Sequence, residues 1–198
     1  GFVVNSSSEY GYLSINGMSY SKRDSNISNS AIIVTVNNKD FGEGPLDGIK
    51  YQENLEKKAY SLGNGKILVQ TFKDYKDNVY NPKDLLNLKI KGNYTYANIN
   101  EVFPDYINTS LKEAITYFGK KIKGFDDDNV IIAAVESKTS SPVKFIRNEN
   151  MESNIKGLYP IGEGSGYAGG ITTSAIEGIK IAKIITSIYK RNSKIFIL

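Results

Sequence analysis

Three residue types are missing from this sequence of 198 residues, which contains no cysteine, no histidine and no tryptophan. Without cysteine the chain has no thiol nucleophile and no disulfide, and without histidine it has no imidazole base and no usual zinc site. Any redox chemistry must therefore come from a bound cofactor, and we predict no metal site. The absence of cysteine also fits a reducing compartment, so we expect a cytoplasmic protein.

Long hydrophobic runs are absent too, since no apolar stretch approaches the length of a membrane span and no secretory core opens the chain. We therefore expect no membrane contact. The net charge is +4, but the basic residues lie in small groups at Lys57-Lys58, Lys120–Lys123 and Lys190–Lys194. Such groups are typical of solvated helix ends, whereas nucleic-acid binding needs them on one face among aromatic residues. We therefore predict no nucleic-acid partner.

Hydrophobic spacing predicts an α/β chain with an antiparallel β component. The predicted strands are Phe2–Asn5 with Tyr12–Ile15 as a hairpin, then Ala31–Val36, Lys66–Phe72, Val130–Val135 and Leu158–Ile161. Because Val130–Val135 is continuously apolar, we expect a strand buried on both faces of its sheet. The predicted helices have apolar residues at 55, 59 and 62, at 107, 111, 114, 115, 118 and 122, and between about Ile171 and Ile188. Residues 74–100 are polar and weakly periodic, so we expect an extended connection there.

The segment Gly157–Gly178, GLYPIGEGSGYAGGITTSAIEG, is the part of the chain most typical of a ligand site. Its glycines allow the backbone to approach a ligand closely, and a helix begins near Gly169-Gly170-Ile171. Free amides and the dipole at the start of that helix favour a phosphate or an anionic ring. The carboxylate of Glu163 can accept hydrogen bonds from ligand hydroxyls. Glycine-rich turns between a strand and a helix also occur without ligands, so the residues alone leave both interpretations open.

The same segment resembles the carboxy-terminal flavin motif of the FAD-dependent, or NAD(FAD)-utilising, dehydrogenase family. Four more stretches resemble signature stretches of that family in the same order, namely Asn16–Asp24, Asn29–Val34, Ile122–Phe125 and Glu136–Val143. The resemblance covers essentially the whole chain. It implies the carboxy-terminal part of a two-domain FAD/NAD(P)-binding flavoprotein fold, with FAD as the cofactor and NAD(P)H as a candidate electron donor.

The resemblance also implies roles for individual residues. The cofactor-binding residues would be Gly162, Glu163, Gly164, Ala168, Gly169, Gly170 and Ile171, with Ser140 and Ser141 as polar neighbours. Glu163 would hold a ribityl hydroxyl or the pyrophosphate region, and the amides around Gly170 and Ile171 would stabilise the anionic reduced flavin ring. Ser19, Tyr20 and Arg23 are candidate substrate residues. An exposed strand end is the alternative for the two serines, and an ordinary polar turn is the alternative for the three substrate candidates.

Two departures from the family pattern limit what is implied. Family members carry an amino-terminal Rossmann half with a GxGxxG fingerprint, and nothing like it occurs here. We therefore expect a fragment that is inactive alone, binds FAD weakly or not at all, and has the missing amino-terminal half of the same polypeptide as its partner. The abrupt start at Gly1, directly before a predicted strand, agrees with this. Glu177-Gly178 stands where Asp-Gly is commoner in the family, and we expect this difference to change little.

The predicted organisation has three parts. Residues 1–36 lead out of the flavin domain, residues 37–129 form an inserted substrate or cap domain, and residues 130–198 return to the flavin domain. The predicted function is a part in flavin-mediated hydride or electron transfer to a small-molecule substrate that the sequence does not identify. The alternatives are a non-enzymatic module that keeps the fold for protein or RNA contacts, and a different nucleotide at the helix start near Gly169-Gly170.

Overall fold

A computed structural model describes residues 1–82 and 88–189 of the chain. Within these ranges the strands are β1 (Phe2–Asn5), β2 (Ile15–Met18), β3 (Ile67–Thr71), β4 (Ile90–Lys91), β5 (Tyr94–Tyr96) and β6 (Ile131–Ala134). The helices are α1 (Asn38–Phe41), α2 (Asp47–Gly63), α3 (Phe72–Asp77), α4 (Asp105–Gly119) and α5 (Ile171–Ile188), and single 3-10 turns occur at Ile99–Glu101 and Glu163–Ser165. No helix in the described part of the chain is long and apolar enough to cross a membrane.

The strands form two small mixed sheets. In the first, β1 lies between β2 and β4, antiparallel to β2 and parallel to β4. In the second, β3 lies between β5 and β6, parallel to β5 and antiparallel to β6. This mixture of helices and small sheets agrees with the predicted α/β class and its antiparallel component.

The hydrophobic core surrounds β3, whose five residues are all buried. Its apolar side chains pack with buried residues of α2, α3, α4 and the Ile99–Glu101 turn. Gln70 is one of the two polar residues of β3, with Thr71, and both ends of the Gln70 amide are used because a buried polar group is costly without partners. Its Nε2 donates to the Val79 carbonyl at 2.9 Å, and its Oε1 accepts from the Ile99 amide at 3.0 Å. The central strand is therefore fixed to the segments on either side of it.

The chain divides into two compact units. Unit 1 comprises Gly1–Glu43 and Lys50–Lys138, and it contains both sheets. Unit 2 comprises Gly44–Ile49 and Thr139–Leu198, of which the structure describes residues up to 189. Unit 2 contains the glycine-rich segment and α5.

Unit 1 ends in a polar cluster around the Glu56 carboxylate, and Glu56 is 4% exposed. Ser137 Oγ donates to Glu56 Oε1 at 2.5 Å, and Lys138 Nζ lies 3.8 Å from the same oxygen. Ser14 Oγ lies 3.2 Å from Ser137 Oγ, and Gln52 donates to the Ser137 carbonyl at 2.9 Å. Because a buried carboxylate is costly unless it is paired, these contacts hold the chain against α2 as far as Lys138.

The three long helices are confirmed, and so are three of the six predicted strands, namely β1, β3 and β6. α2 ends at Gly63 as predicted, and α5 has the predicted bounds. α4 ends earlier than expected, at Gly119, so Ile122 lies beyond the helix and is exposed. The antiparallel partner of β1 is Ile15–Met18 rather than Tyr12–Ile15. The expectation that β6 would be buried on both faces is wrong, because its first three residues, whose side chains alternate between the two faces, are only half-buried.

Three other predictions of secondary structure are wrong. Ala31–Val36 forms no strand, although its side chains alternate between exposed and half-buried. Leu158–Ile161 forms no strand either, and Pro160 in its middle has no amide to give to a ladder. Residues 74–100 are not one extended connection, because their described part contains most of α3 together with β4 and β5. The side chain of Thr71 caps α3 by accepting from the Asp74 amide.

The predicted three-part organisation stays a prediction. In the structure β6, from the segment that we assign to the flavin domain, pairs with β3, from the segment that we assign to the insert. The basic group at Lys190–Lys194 lies outside the described residues.

Candidate functional site

The glycine-rich turn of unit 2, residues 162–170, is organised by the two peptide groups of Gly162. The Gly162 carbonyl accepts from Ser165 Oγ at 2.9 Å and from the amides of Tyr167 and Ala168 at 3.3 and 3.4 Å. The Gly162 amide donates to Glu177 Oε2 at 2.6 Å. With φ of 77°, Gly162 occupies the left-handed region, which strongly favours glycine. The hydrogen bonds of Gly162 therefore hold the turn together and attach its first residue to α5.

The turn leads directly into α5, a helix of 18 residues. Gly170 is the N-cap residue, and its amide donates to Thr173 Oγ1 at 3.0 Å. The amides of Ile171 and its two successors lie in the first turn of the helix, where no carbonyl of the same helix precedes them by four residues. Ile171 is 94% exposed, so this end of the helix is open to solvent. Amides and dipole together make it a favourable place for negative charge.

At two positions of the turn the packing of the described chain does not require glycine. A Cβ placed on Gly164 or on Gly169 would meet no atom within 4 Å, and neither residue has a positive φ. Gly166 differs, because its φ is 83° and a Cβ there would collide with the backbone of Val143 and Lys144. Gly169 thus leaves open space directly before the N-cap residue of α5, and Gly164 leaves open space within the turn. A flat ring that accepts hydrogen bonds fits such a surface, and so the residues present are compatible with a flavin.

The other predicted cofactor residues take different positions. Ser141 Oγ donates to the Val143 carbonyl at 2.9 Å and to the Gly164 carbonyl at 3.1 Å, so Ser141 does lie against the turn. Ser140 is exposed and takes part in contacts of its own. Glu163 is exposed in the 3-10 turn. Ala168 is buried, and its carbonyl accepts from Ser174 Oγ at 3.4 Å. The structure therefore brings Ser141 and the glycines together, and their binding of a cofactor stays a prediction.

The predicted substrate residues belong to unit 1. Ser19, Tyr20 and Arg23 follow β2 in an exposed turn, in which the Arg23 amide donates to the Tyr20 carbonyl at 3.0 Å. The Tyr20 ring meets the edge of the Phe2 ring at a centroid distance of 5.6 Å. A role in substrate binding stays a prediction for all three. In the described ranges no group of three or more acidic, histidine or cysteine side chains is arranged to hold a metal ion.

Sequence reasoning missed the ion pair that supports the turn. Arg147 Nη2 lies 2.5 Å from Glu177 Oε1, and the two side chains are only 13% and 11% exposed. Arg147 Nη1 donates to the Pro160 carbonyl at 2.7 Å, and the guanidinium lies 3.4 Å from the centroid of the Tyr167 ring. Burial acts to raise the pKa of Glu177, but the Gly162 amide and the Arg147 guanidinium outweigh it and hold that pKa below its ordinary value.

The sequence did contain one signal for this pair. Glu177 lies four residues before Ile181, the buried residue of α5, and therefore on the same face of the helix. A carboxylate on the buried face of a helix implies a buried partner, since unpaired burial of a charge is costly. The sequence does not indicate that this partner is Arg147, which is 30 residues away.

Comparison with known proteins gives the family. Residues 1–139 match the model of the family described as FAD-dependent protein, C-terminal domain-like, and this match ends within one residue of the end of unit 1. A Clostridium beijerinckii protein named "Uncharacterized protein" is 44% identical over 190 residues, which cover 93% of this chain. The chain spans only 36% of the length of that relative. Since the family model covers well over half of the residues, the chain belongs to the FAD-dependent protein, C-terminal domain-like family.

Proposed function

We propose that this chain is part of an FAD-dependent oxidoreductase, to which unit 2 contributes the surface for the isoalloxazine ring and ribityl chain. The observation that carries this proposal is the open space at Gly164 and at Gly169, of which Gly169 directly precedes the N-cap residue of α5. Nothing in the described packing requires glycine at these two positions, whereas close approach of a flat ligand does. The family match covers residues 1–139 and ends before this turn, so it supports flavin as the ligand through the family of the chain rather than through the turn itself.

Different residues of the turn would contact different parts of a bound flavin. The amides near Gly170 and Ile171, at the positive end of the α5 dipole, would favour electron density at the facing edge of the ring. The exposed carboxylate of Glu163 would accept hydrogen bonds from ribityl hydroxyls, and Ser141 would keep the preceding segment against the turn. When bound, the flavin supplies the hydride or electron transfer. Ser19, Tyr20 and Arg23 stay the candidates for substrate binding.

The isolated chain should bind flavin weakly, because the AMP half of FAD needs a phosphate site that this sequence does not contain. The relative is almost three times as long as the region that it shares with this chain, which leaves ample length for such a site elsewhere. We expect purified chain to be colourless. A yellow preparation that keeps stoichiometric flavin through gel filtration would contradict this expectation.

The two halves of FAD provide a direct test on the chain as it is. We would titrate ¹⁵N-labelled protein with FMN and, separately, with AMP, which carries a phosphate but no flavin ring. FMN should shift the amide signals of residues 162–171, and AMP should not. Equal shifts with both ligands would indicate a general phosphate or nucleotide site at the helix start. An absence of shifts with FMN up to its solubility limit would refute the flavin proposal.

A matched pair of glycine substitutions makes the test specific. Gly169→Ala places a methyl group in the open space of the turn, whereas Gly178→Ala adds one on α5 beyond the turn, where a Cβ also meets nothing within 4 Å. Both variants should fold, and only Gly169→Ala should weaken the response to FMN. Reconstitution with the part of the C. beijerinckii relative outside the shared region should produce visible flavin absorbance. Salt-sensitive retention of RNA without any flavin response would favour the non-enzymatic alternative.

A further inference from the structure

We propose that Glu177 is a positioning residue for the flavin surface, and that Arg147 in turn fixes Glu177. This inference rests on the function proposed above. Glu177 lies in the second turn of α5, and its two carboxylate oxygens face different partners. Oε2 accepts from the Gly162 amide at 2.6 Å, and Oε1 pairs with the Arg147 guanidinium at 2.5 Å. One side chain of the helix thereby sets where the glycine-rich turn begins.

The position of Gly162 controls the rest of the turn. Its carbonyl accepts from Ser165 Oγ and from the amides of Tyr167 and Ala168, all within 3.4 Å. A shift of the Gly162 peptide group would therefore be passed on to the residues that lead to Gly169 and Gly170. These residues carry the open space and the free amides to which we assign the ring. Within the described residues no contact is shown between Glu177 and the amides near Gly170 and Ile171 to which we assign the ring, and the Gly162 amide is already used by Glu177, so Glu177 acts through Gly162.

Arg147 holds the same turn at two further points. Its Nη1 donates to the Pro160 carbonyl at 2.7 Å, just before Gly162, and its guanidinium stacks 3.4 Å from the centroid of the Tyr167 ring, just after Gly166. Tyr167 is itself anchored, since its hydroxyl donates to the Phe145 carbonyl at 2.7 Å. A planar guanidinium can make the ion pair, the carbonyl contact and the stacking contact at once, whereas a lysine ammonium cannot.

The arrangement also explains why an acid is needed at position 177. A glutamine could still accept from the Gly162 amide, but it would leave the Arg147 guanidinium without its carboxylate in a site where both side chains are nearly buried. Charge-assisted hydrogen bonds are shorter and roughly twice as strong as neutral ones. Replacement of the acid should therefore loosen the turn at Gly162 even though the shape of the side chain is kept. The sequence led only to the expectation that Glu177-Gly178 in place of the commoner Asp-Gly changes little, and it assigned Glu177 no such role.

The test uses the 198-residue chain, FMN as the probe, and three variants. Glu177→Gln removes the charge, Arg147→Lys keeps the positive charge but removes the planar fork, and Glu149→Gln is the control, since Glu149 is an exposed acid of the same unit. We expect Glu177→Gln to weaken FMN binding about tenfold, which corresponds to the loss of one charge-assisted contact. Arg147→Lys should weaken it about threefold, and Glu149→Gln should leave it unchanged.

Two further measurements separate positioning from general stability. The amide signal of Gly162 should move in Glu177→Gln without FMN, while the signals of β3 in unit 1 stay in place. FMN binding by the natural sequence should weaken as the pH falls through the pKa of Glu177, and Glu177→Gln should lack that dependence. If Glu177→Gln does not fold, Arg147→Lys and the pH profile carry the test.

The outcomes distinguish this inference from the proposed function. If the natural chain binds FMN and neither variant weakens binding more than Glu149→Gln does, the positioning role is refuted and the flavin site stands. The same holds if Gly162 moves but FMN affinity does not. If the natural chain gives no response to FMN, the proposed function itself fails, and the positioning role fails with it.

Discussion

Removal of the Tyr75 hydroxyl should destabilise unit 1 although no catalytic role is assigned to it. Tyr75 in α3 is fully buried, and its hydroxyl donates to Asn108 Oδ1 at 2.9 Å. Asn108 in α4 is 5% exposed, and its Nδ2 donates to the carbonyls of Asn100 and Phe103 at 2.9 and 3.1 Å. Both ends of the Asn108 side-chain amide are therefore hydrogen-bonded. These bonds link α4 to α3 and to the segment between β5 and α4. The substitution Tyr75→Phe deletes one atom from this junction.

The expected cost follows from the acceptor left behind. In Tyr75→Phe the buried Asn108 Oδ1 has no donor in the described chain, and such a loss costs about 1–3 kcal/mol. The midpoint temperature should fall by about 2–12 °C, since each kcal/mol shifts it by about 2–4 °C for a chain of this size. Burial already raises the pKa of the Tyr75 hydroxyl, so ionisation does not contribute at neutral pH.

The assay is urea unfolding followed by far-UV circular dichroism, with Tyr80→Phe as the matched control. Tyr80 is 61% exposed, so removal of its hydroxyl should change the free energy of unfolding by less than about 0.5 kcal/mol. A double-mutant cycle with Asn108→Ala should give a coupling energy of about 0.5–3 kcal/mol between the two residues. If Tyr75→Phe is no worse than Tyr80→Phe, the junction does not carry the stability that its geometry implies.

Three further predictions test other parts of the fold. Because the folded-state pKa of Glu177 is lowered, its stabilising contribution is present above the ordinary pKa of a glutamate and is lost as the pH falls through the lowered value. Thermal unfolding of Glu177→Gln should therefore show a flatter acid branch, and parallel acid branches would contradict this. Gly166→Ala should lower the free energy of unfolding of unit 2 by about 1–3 kcal/mol, because of the positive φ of Gly166 and the adjacent Val143 backbone. Gly164→Ala should be nearly neutral in the same thermal scan, and equal midpoints for the two variants would refute the conformation of the turn. Leu68→Ala in β3 should lower the free energy of unfolding in urea by about 2–5 kcal/mol, and Ile33→Ala should lower it by less than about 0.5 kcal/mol. A large effect at Ile33 would mean that residues 31–36 belong to the core.

The helices could be predicted because their signal is local. In α2 and α4 the apolar residues recur every three or four positions, and this spacing alone defines the buried face. The α3 helix also had a local signal that we overlooked, since Thr71 and Asp74 have the spacing of a helix cap. By contrast, residues 31–36 have the β-branched composition of a strand but no partner strand in the described chain. A strand requires a neighbour, and composition does not reveal whether one is present.

Some features of the candidate site could also be predicted from the sequence and others could not. The glycine-rich turn and the start of α5 were predictable, because glycine spacing and a following helix are properties of one continuous segment. The ion pair of Arg147 with Glu177 was not, because it joins two segments that become neighbours only when unit 2 folds. The contact of Ser141 with the Gly164 carbonyl belongs to the same class. A continuous motif therefore indicates where a candidate site lies, whereas the side chains that support the motif come from other segments of the chain.

The polar cluster around Glu56 has a consequence for how this chain can be cut and recombined. A domain that ends at Lys138 keeps both Ser137 Oγ and Lys138 Nζ beside the buried carboxylate, whereas one that ends at Val135 leaves Glu56 with neither. The family match stops at residue 139, at this same place. Because the last two residues of unit 1 supply a hydrogen bond and a positive charge to a buried carboxylate, we expect residue 138 to be the shortest end point at which this unit can be expressed without loss of stability.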